Sequence, residues 1–104
     1  MGNKKVIYIA GPITGVPHYY KAFEAMEDEL SGMGYIPLSP SRLHEGMRND
    51  QYMQICLAMI NAADAVVFLD GWENSNGARI ERDYCFYINK PTFTDPIFMR
   101  EVLG

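Results

Sequence analysis

The chain has 104 residues, 48% of them hydrophobic, with a formal net charge of −4. That length fits a single domain over residues 1–104, and the apolar content supports a real core, which excludes a disordered chain. No apolar run approaches the roughly 20 residues of a membrane span, and the acidic balance argues against long nucleic acid, which selects basic patches.

Residues 4–11, KKVIYIAG, form a short apolar run closed by Gly-Pro, as in a buried parallel strand. The basic start resembles a signal peptide only superficially, because the apolar run is about 6 residues long. If Ile7 and Ile9 face one side of this strand, Tyr8 faces the other and its hydroxyl needs a partner. Residues 11–17, GPITGVP, read as a loop punctuated by glycine and proline. A helix is predicted over 17–33, with Tyr19, Phe23, Met26, Leu30 and Met33 on one stripe and Lys21, Glu24, Asp28 and Glu29 off it. Pro17 suits its first turn and Gly34 its stop. Residues 35–40 form a short strand, near an edge because of Pro37. Residues 41–50 are a loop.

A second helix over 50–62 is apolar around much of its circumference, through Tyr52, Met53, Ile55, Cys56, Leu57, Met59 and Ile60. Either a subunit interface or crowding within its own domain accounts for the excess. Residues 64–70, DAVVFLD, make the clearest central strand, and a third helix covers 77–89. Residues 90–93 give a last strand, and the tail from Asp95 to Gly104 is a short helix or an arm. The alternation predicts an α/β fold: a three-layer, flavodoxin- or Rossmann-like parallel sheet of about four to five strands with helices on both faces. Cys56 and Cys85 lie in helix-like apolar patterns, so reduced, buried thiols in a cytoplasmic protein are expected. His18 and His44 stand far apart with no metal-ligand spacing, and neither metal nor cofactor is expected.

In such folds ligands sit beyond the C-terminal ends of the strands, near the switch in strand order. Two glycine-bearing loops fall there. The first, Gly11, Pro12, Ile13, Thr14 and Gly15, has neither the Gly-Lys-Ser/Thr ending of a P-loop nor the dinucleotide G-x-G-x-x-G spacing. It reads either as an ordinary strand-to-helix turn or as a cradle for a phosphate or sugar. In the second loop, Ser75 or Asn76 can cap the third helix. Glu81 comes too late to complete a capping box with either. It shares a stripe with Gly77, Tyr84, Cys85 and Ile88, opposite Arg79, Arg82, Asp83 and Lys90. A carboxylate there is hydrated, paired with Arg79 or Arg82 at the rim, or functional. Asp64 starts the third strand, and Asp70 sits at its functional end. Trp72 packs over the loop or over a ligand base, and His18, Tyr19 and Tyr20 border the same crevice.

The segments Tyr8-Ile9-Ala10-Gly11-Pro12, Ala63-Asp64-Ala65-Val66-Val67 and Ser75-x-Gly77-x-x-x-Glu81, in that order, resemble the nucleoside 2-deoxyribosyltransferase-like superfamily. That superfamily includes the deoxynucleoside 5′-monophosphate N-glycosidases, and LDGWENSNGARIE looks most like a small, phage-rich group within it. The resemblance implies that Glu81 is a nucleophile attacking the anomeric carbon of a nucleotide, with Tyr8 orienting it. Ser75 stands where the monophosphate glycosidases carry serine, which implies a 5′-phosphate nearby, helped by the Gly11–Gly15 loop. Gly77, Asp70 and Trp72 complete the expected binding set. The partners implied are a nucleotide or nucleoside and a second copy of the chain, in a homodimer or larger. Two departures stand out. The family carries an aspartate eight residues before the strand aspartate, where this chain has Cys56, and Arg82-Asp83 follows Glu81 in place of Leu-Gly or similar. The first departure leaves a non-catalytic nucleotide-binding module as the alternative.

Overall fold

A computed structural model describes residues 3–104. The first strand, β1 (Val6–Ala10), is almost fully buried, consistent with its unbroken apolar sequence. It is followed by α1 (Tyr20–Gly32), β2 (Ile36–Leu38), α2 (Asn49–Ala62), β3 (Ala65–Phe68), α3 (Asn76–Tyr87), β4 (Thr92–Phe93) and α4 (Pro96–Leu103). The four strands form one parallel sheet in the order β2-β1-β3-β4. Register is set by Tyr8 opposite Leu38 on one side and Val66 on the other.

Alternation along the strands divides the core into two layers. Ile7, Ile9, Ala65 and Val67 face α1 and α4, where they meet Phe23, Leu30 and Met99. Tyr8, Ala10, Val66 and Phe68 face the opposite layer and meet Cys56, Ile60 and Cys85 of α2 and α3. The result is the expected α/β arrangement with helices on both faces.

Several element boundaries have identifiable causes. The first helix starts at Tyr20 rather than at 17, because His18 holds a left-handed φ of 56° that no helix accommodates. β2 lies at the sheet edge, where Pro37 costs no ladder bond. Asp64 begins β3 by accepting the Val6 N–H at 2.7 Å, while its own N–H donates to the Val6 carbonyl at 2.7 Å. α3 is capped by Ser75, whose hydroxyl accepts the Ala78 N–H at 3.2 Å. Asn89, at φ 60°, turns the chain at its far end. The tail is a helix: Asp95 accepts the Ile97 N–H at 2.9 Å, Pro96 opens the first turn, and Met99 is fully buried. Arg100 donates to the Met33 carbonyl, which ties this helix to the end of α1.

The apolar circumference of α2 is used largely within the domain. Cys56 and Ile60 are buried on the sheet, Tyr52, Met53, Leu57 and Met59 are half-buried, and Ile55 remains exposed. A buried acid that the periodicity did not single out lies on α1. Glu27 accepts two hydrogen bonds from the Arg42 guanidinium, each 3.0 Å, and pins the loop after β2 to the first helix.

Candidate functional site

The strand order reverses between β1 and β3, the place where parallel α/β sheets open a crevice. A crevice of about 1020 Å³ lies there. Its first wall is the loop after β1, with Gly11, Ile13, Thr14 and Gly15. Its second is the start of α3, with Ser75, Asn76, Gly77 and Glu81. A third wall comes from the loop after β2 and the start of α2, with Glu45, Asp50, Tyr52 and Cys56.

Local chemistry explains these positions. Gly11 sits so close to the end of β3 that an added Cβ would meet the Leu69 side chain at 2.9 to 3.2 Å, so glycine lets the β1 loop leave the sheet there without displacing Leu69. Gly71, at φ 88°, makes the sharp exit from β3. The loop after β2 is held by Tyr52, whose hydroxyl donates to the His44 carbonyl and accepts the Met47 N–H at 3.4 Å. Gly77 meets only the end of Met53, 3.8 Å from where a Cβ would sit. At this first turn of α3, the N–H groups of Asn76 and Gly77 precede the first intrahelical bonds.

Glu81 is only 6% exposed. The Tyr8 hydroxyl donates to its Oε2 at 2.9 Å, a contact between residues 73 apart in sequence. Burial pushes the Glu81 carboxyl up to about 7, against the opposing hydrogen bonds from Tyr8 and Cys56. Burial raises the Tyr8 phenol well above its ordinary range, and the Glu81 charge adds to that. Burial likewise pushes the Cys56 thiol up to about 11, so it stays protonated beside the pair near neutrality. The site is therefore a dry carboxyl with two neutral donors, opening on one side into the crevice. Neither Arg79 nor Arg82 pairs with it. Arg79 bonds the Glu73 carbonyl at 2.7 Å and the Asn76 side chain, while Arg82 lies over Trp72 and Phe86.

The expected site residues divide into two groups. Gly11, Ile13, Thr14, Gly15, Ser75, Gly77 and Glu81 line the crevice, with Tyr8 directly behind Glu81. Pro12, Asp70 and Trp72 do not line it. Pro12 packs near Gly71, Asp70 is exposed, and Trp72 turns away to stack on Phe68 with ring centroids 5.2 Å apart. Of the aromatic cluster at the start of α1, Tyr19 borders the crevice. Periodicity carried no signal for Glu45, whose place depends on the Tyr52 tether. Asp50 also reaches the lining and is paired with Arg48 at 3.0 Å. Among the described lining residues there are three carboxylic acids, Glu45, Asp50 and Glu81, and no Lys, Arg or His. No cluster of three or more His, Cys, Asp or Glu placed to hold a metal occurs among the described residues. No described helix is long and apolar enough to cross a membrane.

A family model described as a domain of unknown function (DUF4406) matches residues 5–93. No curated protein matches the chain. Among solved structures, the "2-desoxiribosyltransferase from Leishmania mexicana" superposes with a TM-score of 0.68 at 25% identity, covering 88% of this chain and 65% of that one. The 2-deoxyribosyltransferase from the psychrotolerant bacterium Bacillus psychrosaccharolyticus superposes at 0.64 with 21% identity, over 84% and 69% of the two chains. The chain thus spans less than two thirds of the length of the first of these neighbours.

Proposed function

The chain belongs to the DUF4406 family, and we propose that it cleaves the N-glycosidic bond of a nucleoside 5′-monophosphate or its parent nucleoside, by hydrolysis or transfer, with Glu81 as nucleophile. One observation carries this reading: a desolvated carboxyl, held by Tyr8, on the wall of a crevice large enough for a nucleoside. The likeness to 2-deoxyribosyltransferases supports it, as does the placement of Ser75 and Gly77 on the same wall.

In the proposed reaction an oxygen of ionised Glu81 bonds to the anomeric carbon as the carbon–nitrogen bond breaks. The electron pair of that bond leaves on the base, and a glycosyl ester forms on Glu81. Water, or a second base, then displaces the carboxylate and restores it. Both steps pass through an oxocarbenium-like transition state, which a nearby carboxylate in a dry site stabilises. Tyr8 engages one carboxylate oxygen and leaves the other for the sugar. The departing base needs a proton. Cys56 is a poor source at about 11, so the proton reaches the departing base from water at the open side of the crevice.

Substrate charge has support on both sides. The Ser75 hydroxyl and the first amides of α3 fit a 5′-phosphate, and the Gly11–Gly15 loop adds further donors. The acidic lining, without a cation among its described residues, favours the uncharged nucleoside. Kinship with the monophosphate glycosidases rests on the first of these, and kinship with the phage-rich group on the LDGWENSNGARIE segment. The second reading, a nucleotide-binding module without catalysis, rests on Cys56 standing where a proton donor is needed.

Incubation with a panel of ribo- and deoxyribonucleosides and their 5′-monophosphates, with chromatography of released base, tests the proposal. Release by the unmodified protein and not by Glu81→Gln or Glu81→Ala supports catalysis. Thermal stabilisation by a nucleotide with no base released supports the binding module. A homodimer or larger belongs to the same proposal. Tyr87, Ile97 and Val102 leave apolar surface on α3 and α4, and a monomeric mass by solution scattering at micromolar concentration counts against it.

A further inference from the structure

The Arg82 substitution that sets this chain apart after Glu81 has a place of its own in the structure. Beyond the turn at Trp72–Asn74, away from the crevice, lies a second hollow of about 260 Å³. Its apolar walls are Phe68, Trp72, Phe93 and Phe98. Phe68 stacks at a tilt on Trp72 with centroids 5.2 Å apart, and Phe93 meets Phe98 edge-on at 6.1 Å. Thr92 and Thr94 add hydroxyls at the β4 side, and Arg82 enters from α3.

Arg82 is the unusual member. Its guanidinium carbon lies 4.4 Å from the Phe86 ring centroid and 5.4 Å from that of Trp72. These cation–π contacts hold the group beside the hollow. Its edge, which carries the N–H donors, has no ion-pair partner among the described residues, where the ion pairs are Arg42–Glu27 and Arg48–Asp50. An oriented, half-buried guanidinium with a free edge takes a carboxylate through two parallel hydrogen bonds. The aromatic walls take a flat ring. The hollow is about a quarter the size of the crevice, which suits a single-ring ligand.

We propose that the hollow between β4, α3 and the Trp72 turn is a second ligand site, taking a small planar aromatic carboxylate, with Arg82 binding its carboxylate edge and Trp72 and Phe93 flanking its ring. The site does not depend on the glycosidic reading, since none of its lining residues touches the crevice.

Trp72 is the only tryptophan in the chain, so indole fluorescence reports on this hollow directly. Benzoate is the probe, with neutral benzamide and non-planar cyclohexanecarboxylate as controls. The expected result is saturable quenching by benzoate, with affinity for each control weaker by about tenfold, or about 1.4 kcal/mol. Arg82→Gln lowers benzoate affinity by at least about tenfold, and Arg82→Lys, which keeps the charge and loses the fork, lowers it by a smaller factor. Glu81→Gln leaves it unchanged, which separates this site from the nucleophile. Circular dichroism of each variant verifies its fold, and Arg82→Lys carries the test if Arg82→Gln does not fold. No saturable change at about 10 mM benzoate, equal affinity in the Arg82 variants, or loss of binding in Glu81→Gln overturns the proposal.

Discussion

Replacing Glu81 with glutamine isolates what it costs to keep a carboxylate in the site. Glutamine keeps the size of the side chain and an oxygen to accept from Tyr8, but it cannot ionise. Burial raises the Glu81 carboxyl from 4.5 to about 7 in the folded protein. Between those values the folded chain holds a proton that the unfolded chain has released. The associated stability is fully present below the lower value and is lost as pH rises through the upper one. At about 1.4 kcal/mol per unit, the loss is about 3 kcal/mol. The group is 6% exposed, so solvent does little to reduce it. Urea unfolding of both proteins across roughly pH 5 to 8 reads the effect, because every other titrating group cancels in the difference. The Gln variant gains on the unmodified protein as pH rises, and the gain levels off above about 7. A difference independent of pH, or a Gln variant that loses ground on the unmodified protein as pH rises, refutes the desolvated carboxyl.

Other perturbations separate structural from functional roles. Tyr8→Phe removes the hydrogen bond that lowers the Glu81 carboxyl. It shifts the titration seen by carboxyl carbon NMR upward by about 1 unit, as expected for a hydrogen bond to a charged group. Gly77→Ala meets only Met53 at ordinary contact distance and gains helix propensity. It stabilises the fold by about 0.4–1 kcal/mol in urea unfolding while narrowing the crevice and weakening nucleoside binding by calorimetry. Gly11→Ala drives a methyl into the Leu69 stem and destabilises by about 1–3 kcal/mol in the same unfolding assay. Arg42→Ala leaves the buried Glu27 carboxylate without its two donors and lowers the melting temperature, and Arg42→Lys restores only part of the loss.

The parts of the site that follow from periodicity were legible in the sequence. Strand alternation alone sends Tyr8 away from Ile7 and Ile9, and helical spacing places Glu81 on the packed side of α3. Their hydrogen bond joins these two local facts across the sheet. Pro37 signalled an edge strand for a reason that holds in any sheet. What periodicity could not reach depends on tertiary tethers. Glu45 enters the crevice because Tyr52 holds the loop at His44, and Glu27 is buried because Arg42 returns to it from after β2. The start of α1 depends on the φ of one histidine, a conformation for which residue type gives only a weak signal. The sequence leaves Trp72 open between packing over the loop and over a ligand base, and only the tertiary contact with Phe68 shows where it turns.

The central claim, that Glu81 carries the sugar during turnover, has a direct measurement. The protein is incubated with a nucleoside or 5′-monophosphate that it cleaves, quenched in acid, digested and examined by peptide mass spectrometry. A glycosyl mass is expected on the peptide containing Glu81 and is absent in Glu81→Gln. Base release with an unmodified Glu81 peptide and continued release by the Gln variant would contradict it.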